Sequence, residues 1–184
     1  MISPSTIGRV TAEPPARSTH SLDSDPGARL VREWSSVRPD LDFAPMGLFA
    51  RSNRFVALGM RKLEAAVADH GLSIGDFDVL SALRRAGEPF SVKPSDLADR
   101  LMVTRAGITA RVDRLETTGL VARQRDPNDR RSEPIVLTEA GRRTVDLAVV
   151  SVLAVETELF SQLTLADRKK LDRLLHQLAS PPTK

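Results

Sequence analysis

The sequence predicts a mainly α fold with one small β-hairpin, and three observations predict it. Apolar residues recur at helical spacing over most of the chain after residue 25. Two segments in close succession, PSDLADRL (94–101) and TRAGITARVDRLETTGL (104–120), read as a short helix, a brief turn and a longer polar helix. Beyond them, VARQR and PIVL are short strand candidates joined across the turn-forming DPNDRRSE.

The elements follow in order. Residues 1–24, with their prolines and many Ser and Thr, predict a mobile tail. Asp25-Pro26 is a helix start, and Leu30, Val31, Trp34 and Val37 follow at helical spacing until Pro39, so 25–38 is an extra N-terminal helix. Such a short helix does not persist alone and must dock. A longer helix is expected from about Pro45 to Asp69, closed by His70-Gly71. Ser73 and Asp76 form a capping pattern for the next helix, which carries Phe77, Leu80 and Leu83 and ends near Gly87. Thr138 caps a long helix expected over about 138–163, and Thr164 with Asp167 opens the last, with Leu171, Leu174, Leu175 and Leu178. Pro134, early in the second strand candidate, is expected at an edge or bulge position.

Composition narrows the function. The chain has 184 residues, enough for one domain, or one domain with an appendage, and no apolar run reaches the ~18–20 residues that span a bilayer. The N-terminus lacks the apolar centre of a secretory signal. With no cysteine, disulfides, thiolate zinc sites and thiol redox sensing are excluded, and a cytoplasmic location is expected. His20, His70 and His176 are scattered, and no nucleotide-binding or metal-ligand spacing is present, so neither catalysis nor a cofactor nor a metal is expected.

Charge is unevenly spread. Arg105, Arg111, Arg114, Arg123, Arg125, Arg130 and Arg131 stand against Asp113, Glu116, Asp126 and Asp129, so residues 105–131 carry +3, equal to the whole chain's net charge. A locally basic stretch on a near-neutral body points to a polyanion-binding face, or otherwise to a solvated one.

Short helix, tight turn and longer polar helix make a helix-turn-helix, the arrangement that sets a second helix in the DNA major groove. On a helical wheel, Ile108, Val112 and Leu115 form the buried stripe, and Ala106, Ala110, Asp113 and Thr117 face outward. Thr109 and Arg114 flank that outward face, and Gly107 lies close to Arg114. Small residues let such a helix sink into a groove while hydroxyls and arginines reach bases and phosphates. The candidate DNA contacts are therefore Ser95, Thr104, Arg105, Ala106, Gly107, Thr109, Ala110 and Arg114. Arg111 falls only about 60° from the centre of the buried stripe, which suits it poorly to reading the groove floor. Either it pairs with a nearby carboxylate or it has a different task.

The stretch LADRLMVTRAGITARVDRLETTGLVARQRDPNDRRSEPIVLTEAGR resembles the winged helix-turn-helix core of the MarR family of transcriptional regulators, most specifically in DPNDRR followed by VLTEAG. The resemblance covers roughly 45–178. It implies a homodimer of intertwined terminal helices, with 39–72 and 138–180 as the dimerisation region and 73–137 as the DNA-binding domain. It implies a pseudo-palindromic double-stranded operator, with Arg130 and Arg131 at a wing tip braced by Asp129.

A narrower likeness, in VREW, RPDLDFAPMGLFARSNR, FDVLSALRRAG and GITARVDRL, is to the urate-responsive, HucR- and PecS-like branch of the family. By that likeness Trp34, Asp78, Arg111 and Arg123 would bind urate or a similar aromatic anion, which would lower DNA affinity and relieve repression. For Asp78 a structural ion pair with Arg111 or Arg123, and for Trp34 plain packing, are the alternatives. A phenolic effector, no effector at all, or a winged helix that binds protein stand beside the urate reading.

Overall fold

A computed structural model describes residues 25–124 and 133–180. The tail before residue 25 and the expected wing-tip residues Asp129, Arg130 and Arg131 lie outside the described residues. The chain divides into two compact units, residues 1–53 and 54–184, each taken by itself.

In the first unit, helix α1 (Pro26–Val37) docks on the start of helix α2 (Ala44–Ala68). Asp25 caps α1 by accepting from the Gly27 N–H at 3.0 Å and pairs with Arg51 at 2.5 Å. The crossing is close because both helices present glycine there. A Cβ on Gly47 would come within 2.6 Å of a Val31 methyl carbon, and one on Gly27 within 3.1 Å of the Gly47 carbonyl oxygen. Trp34 stacks on Phe43 with ring centroids 5.6 Å apart and remains 44% exposed.

The second unit contains the rest of α2 and then α3 (Ile74–Arg85), β1 (Ser91–Val92), α4 (Pro94–Leu101), α5 (Arg105–Thr117), β2 (Val121–Arg123), β3 (Ile135–Leu137), α6 (Glu139–Leu159) and α7 (Leu165–Ala179). Its core gathers Val67, Val79, Leu80, Leu83, Leu97, Ile108, Val112, Val121, Ile135 and Val145 from seven of these elements. The expected caps form: Ser73 and Asp76 make a reciprocal capping box on α3, and Thr104, Thr138 and Thr164 cap α5, α6 and α7.

Two helix ends and one strand differ from expectation. The second helix of the pair stops at Thr117, because Gly119 takes φ +72 and turns the chain into β2. α6 stops at Leu159, and residues 160–163 form a turn. The hairpin strands are joined by β1 into a three-stranded antiparallel sheet of order β1-β3-β2. β3 is thus the central strand, and the edge or bulge position expected for Pro134 is not what the sheet shows. Pro134 lies just before β3, needs no N–H there, and its carbonyl accepts from the Gln124 N–H at 3.0 Å.

The turn after α5 is fastened to the start of α6 at one point of close backbone approach. Thr138 Oγ1 donates to the Gly119 carbonyl at 2.8 Å, its N–H donates to the Leu120 carbonyl at 3.1 Å, and its hydroxyl caps Gly141 at 3.0 Å. A Cβ on Gly141 would run into the Leu120 carbonyl oxygen. Gly141→Ala should therefore destabilise the protein by about 1–3 kcal/mol in urea unfolding, the usual cost of overpacking; a change under ~0.5 kcal/mol would show that the junction yields freely.

Candidate nucleic-acid interface

α4 begins with Pro94 in its first turn and ends on Met102 in the left-handed region, φ 51 and ψ 40. That conformation lets the Val103 N–H reach back to the Ala98 carbonyl at 3.1 Å, closing α4 tightly enough to start α5 two residues later. Met102 itself is 92% exposed, so the conformation rather than the side chain is what the turn uses.

α5 then lies across the core with Ile108, Val112 and Leu115 buried, the stripe expected from the sequence. Arg105, Ala106, Thr109, Ala110, Asp113, Arg114 and Thr117 are exposed, and Thr104 Oγ1 holds the Gly107 N–H at 3.1 Å. No acid lies in the first turn, so the helix's positive end is uncompensated toward solvent. Thr109 donates to the Arg105 carbonyl at 3.1 Å, and Ser95 donates to Asp96 at 3.0 Å. Thr104, Arg105, Ala106, Gly107, Thr109 and Ala110 thus gather along the N-terminal half of one helix, with Ser95 on α4.

Two polar clamps fix this helix, and sequence reading missed both. Arg114 Nη2 donates to Asp76 at 2.8 Å, and the other Asp76 oxygen accepts from the Ser73 hydroxyl at 2.7 Å. The buried Asp76 carboxylate therefore ties the start of α3 to α5, while Arg114 stays more than half exposed. Arg123, on β2, donates through its two terminal nitrogens to Asp113 and Glu116 on α5. The Asp113 bond and, less, the other Glu116 and Asp113 contributions raise the Arg123 pKa against the effect of burial.

The four expected effector residues fall on different elements. Trp34 belongs to α1, in the first unit. Arg123 is engaged by Asp113 and Glu116 rather than by Asp78. Arg111 makes no ion pair or hydrogen bond among the described residues. Its guanidinium rests on Gly75 in the first turn of α3, where an added Cβ would meet Arg111 Cζ and Nε at 2.7 Å. A cation at the positive end of a helix is poorly placed on its own and well placed with an anion between. Asp78, one turn along α3, is half-buried and also without an ion pair among the described residues. Burial pushes its carboxyl above the usual aspartate range, and Arg111 and Arg85 pull it back only in part. Arg85, absent from the sequence reading, was detectable as the i+7 neighbour of Asp78 on α3. No group of His, Asp and Glu able to hold a metal ion occurs among the described residues.

A helix-turn-helix whose second helix is exposed at its positive end, followed by the two strands of a hairpin, defines a winged helix-turn-helix DNA-binding protein. Residues 70–132 match the MarR family model. The transcriptional regulator PecS of Dickeya dadantii (strain 3937) is 34% identical over 79% of this chain and 88% of its own length. Among solved structures, a point mutant of MarR from E. coli complexed with operator DNA superposes with a TM-score of 0.65 at 25% identity, covering 75% of this chain and 96% of that one. BpsR of Bordetella bronchiseptica, whose DNA binding is regulated by 6-hydroxynicotinic acid, superposes with a TM-score of 0.63 at 25% identity, covering 72% of this chain and 98% of that one. The chain belongs to the MarR family of transcriptional regulators.

Asp78 gives a pH test with a definite sign. Its folded pKa lies above its unfolded value, so the folded state holds more protons between the two, and stability falls as pH rises through that window. Asp78→Asn should be more stable than wild type in urea at pH 7, and the difference should shrink as pH falls toward about 4. A variant no more stable at pH 7 would contradict the burial argument.

Proposed function

We propose that this chain acts in the cytoplasm as a homodimeric repressor on a pseudo-palindromic duplex, and that urate or a similar heteroaromatic anion weakens its grip on DNA. The observation that carries the effector reading is Arg111. It sits on the DNA-facing helix, leans away from the DNA face, and rests on the first turn of α3 with no ion pair among the described residues. An anion held there touches the reading helix and its neighbour at once, so it can favour one orientation of α5 over another. Asp78 supplies an acceptor for ring N–H groups, and Arg111 the countercharge.

Dimerisation is supported by what one chain leaves uncovered. No residue of α7 is buried, and Leu147, Val150, Leu153, Leu165, Leu174 and Leu178 are exposed on α6 and α7. A cleft of about 530 Å³ between these helices is lined by Leu153, Phe160, Leu171 and Leu175 together with the charged Glu156, Arg168 and Asp172. A second copy covers such surface best in a symmetric assembly. Two α5 helices, one per protomer, then enter successive major grooves with half-sites about one helical turn, ~34–36 Å, apart. Thr104, Arg105, Thr109 and Arg114 take bases and phosphates, Ser95 a phosphate, and Ala106, Gly107 and Ala110 permit close approach. Arg130 and Arg131, with Asp129 beside them in sequence, add charge for the flanking minor groove. BpsR and the MarR–operator complex support the two halves of this reading by likeness, one for a small aromatic acid and one for DNA.

Calorimetric titration of urate, with 6-hydroxynicotinate alongside, should give saturable binding that Arg111→Ala loses by at least about tenfold. Unchanged binding in that variant would remove Arg111 from the effector site, and no heat with either compound would remove the effector reading altogether.

A further inference from the structure

The cation that partners Arg111 is open to assignment, because Arg123 is already held by two carboxylates, Asp113 and Glu116. A guanidinium held in that way has its charge compensated and only some of its five N–H donors left for a ligand. Arg85 has no such competition: its Nε donates to the Ser81 carbonyl at 3.2 Å, and its terminal nitrogens have no partner among the described residues.

Its place in the fold is also suited. Gly75, Asp78 and Arg85 fall within about 80° of one another around α3, a single stripe of the helix. Arg111 covers the Gly75 end of that stripe. Arg85 folds back toward the N-terminus, as its bond to Ser81 shows, which is the direction long helical side chains take. Its head therefore lies about 9 Å along the axis from Gly75, near the Ser81 level, with Asp78 between. Both guanidiniums act electrostatically on the Asp78 carboxyl without closing an ion pair to it. Two cations around one carboxylate leave a net positive, half-sheltered strip with an acceptor at its centre.

We propose that Arg85 and Arg111 together form the cationic pair of the effector site, with Asp78 between them, and that the site takes a flat heteroaromatic anion with acceptor groups at both ends and an N–H between. The assignment rests on the effector reading above and deepens it. Arg123 then belongs to the clamp that positions α5, and the ligand is held along α3.

Calorimetry on the full-length protein with urate tests this. Arg85→Gln should weaken urate binding roughly 10- to 100-fold, as loss of a charge-assisted contact does, and Arg85→Lys should restore part of it. Because Arg85 is exposed, Arg85→Gln should remain folded, less stable than wild type in urea at pH 7 only by the amount linked to the Asp78 shift. In the same ligand-free variant, the Asp78 carboxyl followed by carbon NMR should titrate at higher pH than in wild type, since one nearby cation is gone. Wild-type urate affinity in Arg85→Gln, or an unmoved Asp78 titration, would overturn the assignment while leaving the effector reading standing. Wild-type protein that binds neither urate nor 6-hydroxynicotinate would overturn both.

Discussion

A helix of thirteen residues has little stability of its own, so everything α5 does depends on the burial of Ile108, Val112 and Leu115. Each buried aliphatic side chain of this kind contributes about 1.5–3 kcal/mol. The stripe fixes which face of α5 looks outward and leaves most of its N-terminal half exposed. It does not fix the angle of the helix about that stripe, and the polar clamps do this. Asp76 holds Arg114 from the α3 side, and Arg123 holds Asp113 and Glu116 from the β2 side. α5 is thus packed along one line and guyed on both flanks.

That arrangement places Arg111, the residue of the proposed effector site, against two elements at once. Arg111 leaves α5 between the buried stripe and the clamp to α3, and ends on the first turn of α3. α3 in turn is tied to α6 through Arg84, which donates to Asp146 at 2.8 Å and stacks over the Phe90 ring at 5.3 Å. In the proposed mechanism a change in how α3 and α5 meet reaches α6 through this contact, and α6 carries a long run of uncovered apolar surface. In a dimer built on α6 and α7, a small rotation there alters the spacing of the two reading helices. Coupling of about 1–3 kcal/mol, a 5- to 150-fold change in DNA affinity, is the usual scale of such linkage.

Much of this was legible in the sequence because it is local. The caps at Ser73, Thr104 and Thr138 follow from hydroxyl side chains preceding apolar periodicity, and the buried face of α5 follows from the 3.6-residue repeat. The inward lean of Arg111 was readable the same way. What escaped was nonlocal. β1 is two residues long and exists only because β3 pairs with it, so no periodicity announces it, and its presence makes β3 central. Arg114 and Arg123 are ordinary arginines in the sequence. Their partners lie 38 and up to 10 residues away, and nothing short of the fold chooses among the many nearby acids. Arg85 carried a weak signal, seven residues after Asp78 on one helix, which gains meaning only once Arg111 is seen over Gly75.

The central claim is that an anion lodged behind α5 sets the affinity of its front for DNA. The most direct measurement is the affinity of the protein for a duplex selected from random sequence, with and without saturating urate, in wild type and in Arg111→Ala. We expect a selected site with inverted half-sites about one turn apart, a roughly 5- to 150-fold loss of affinity with ligand, and a variant that binds the duplex but ignores urate. A duplex affinity that ligand leaves unchanged in wild type would contradict it.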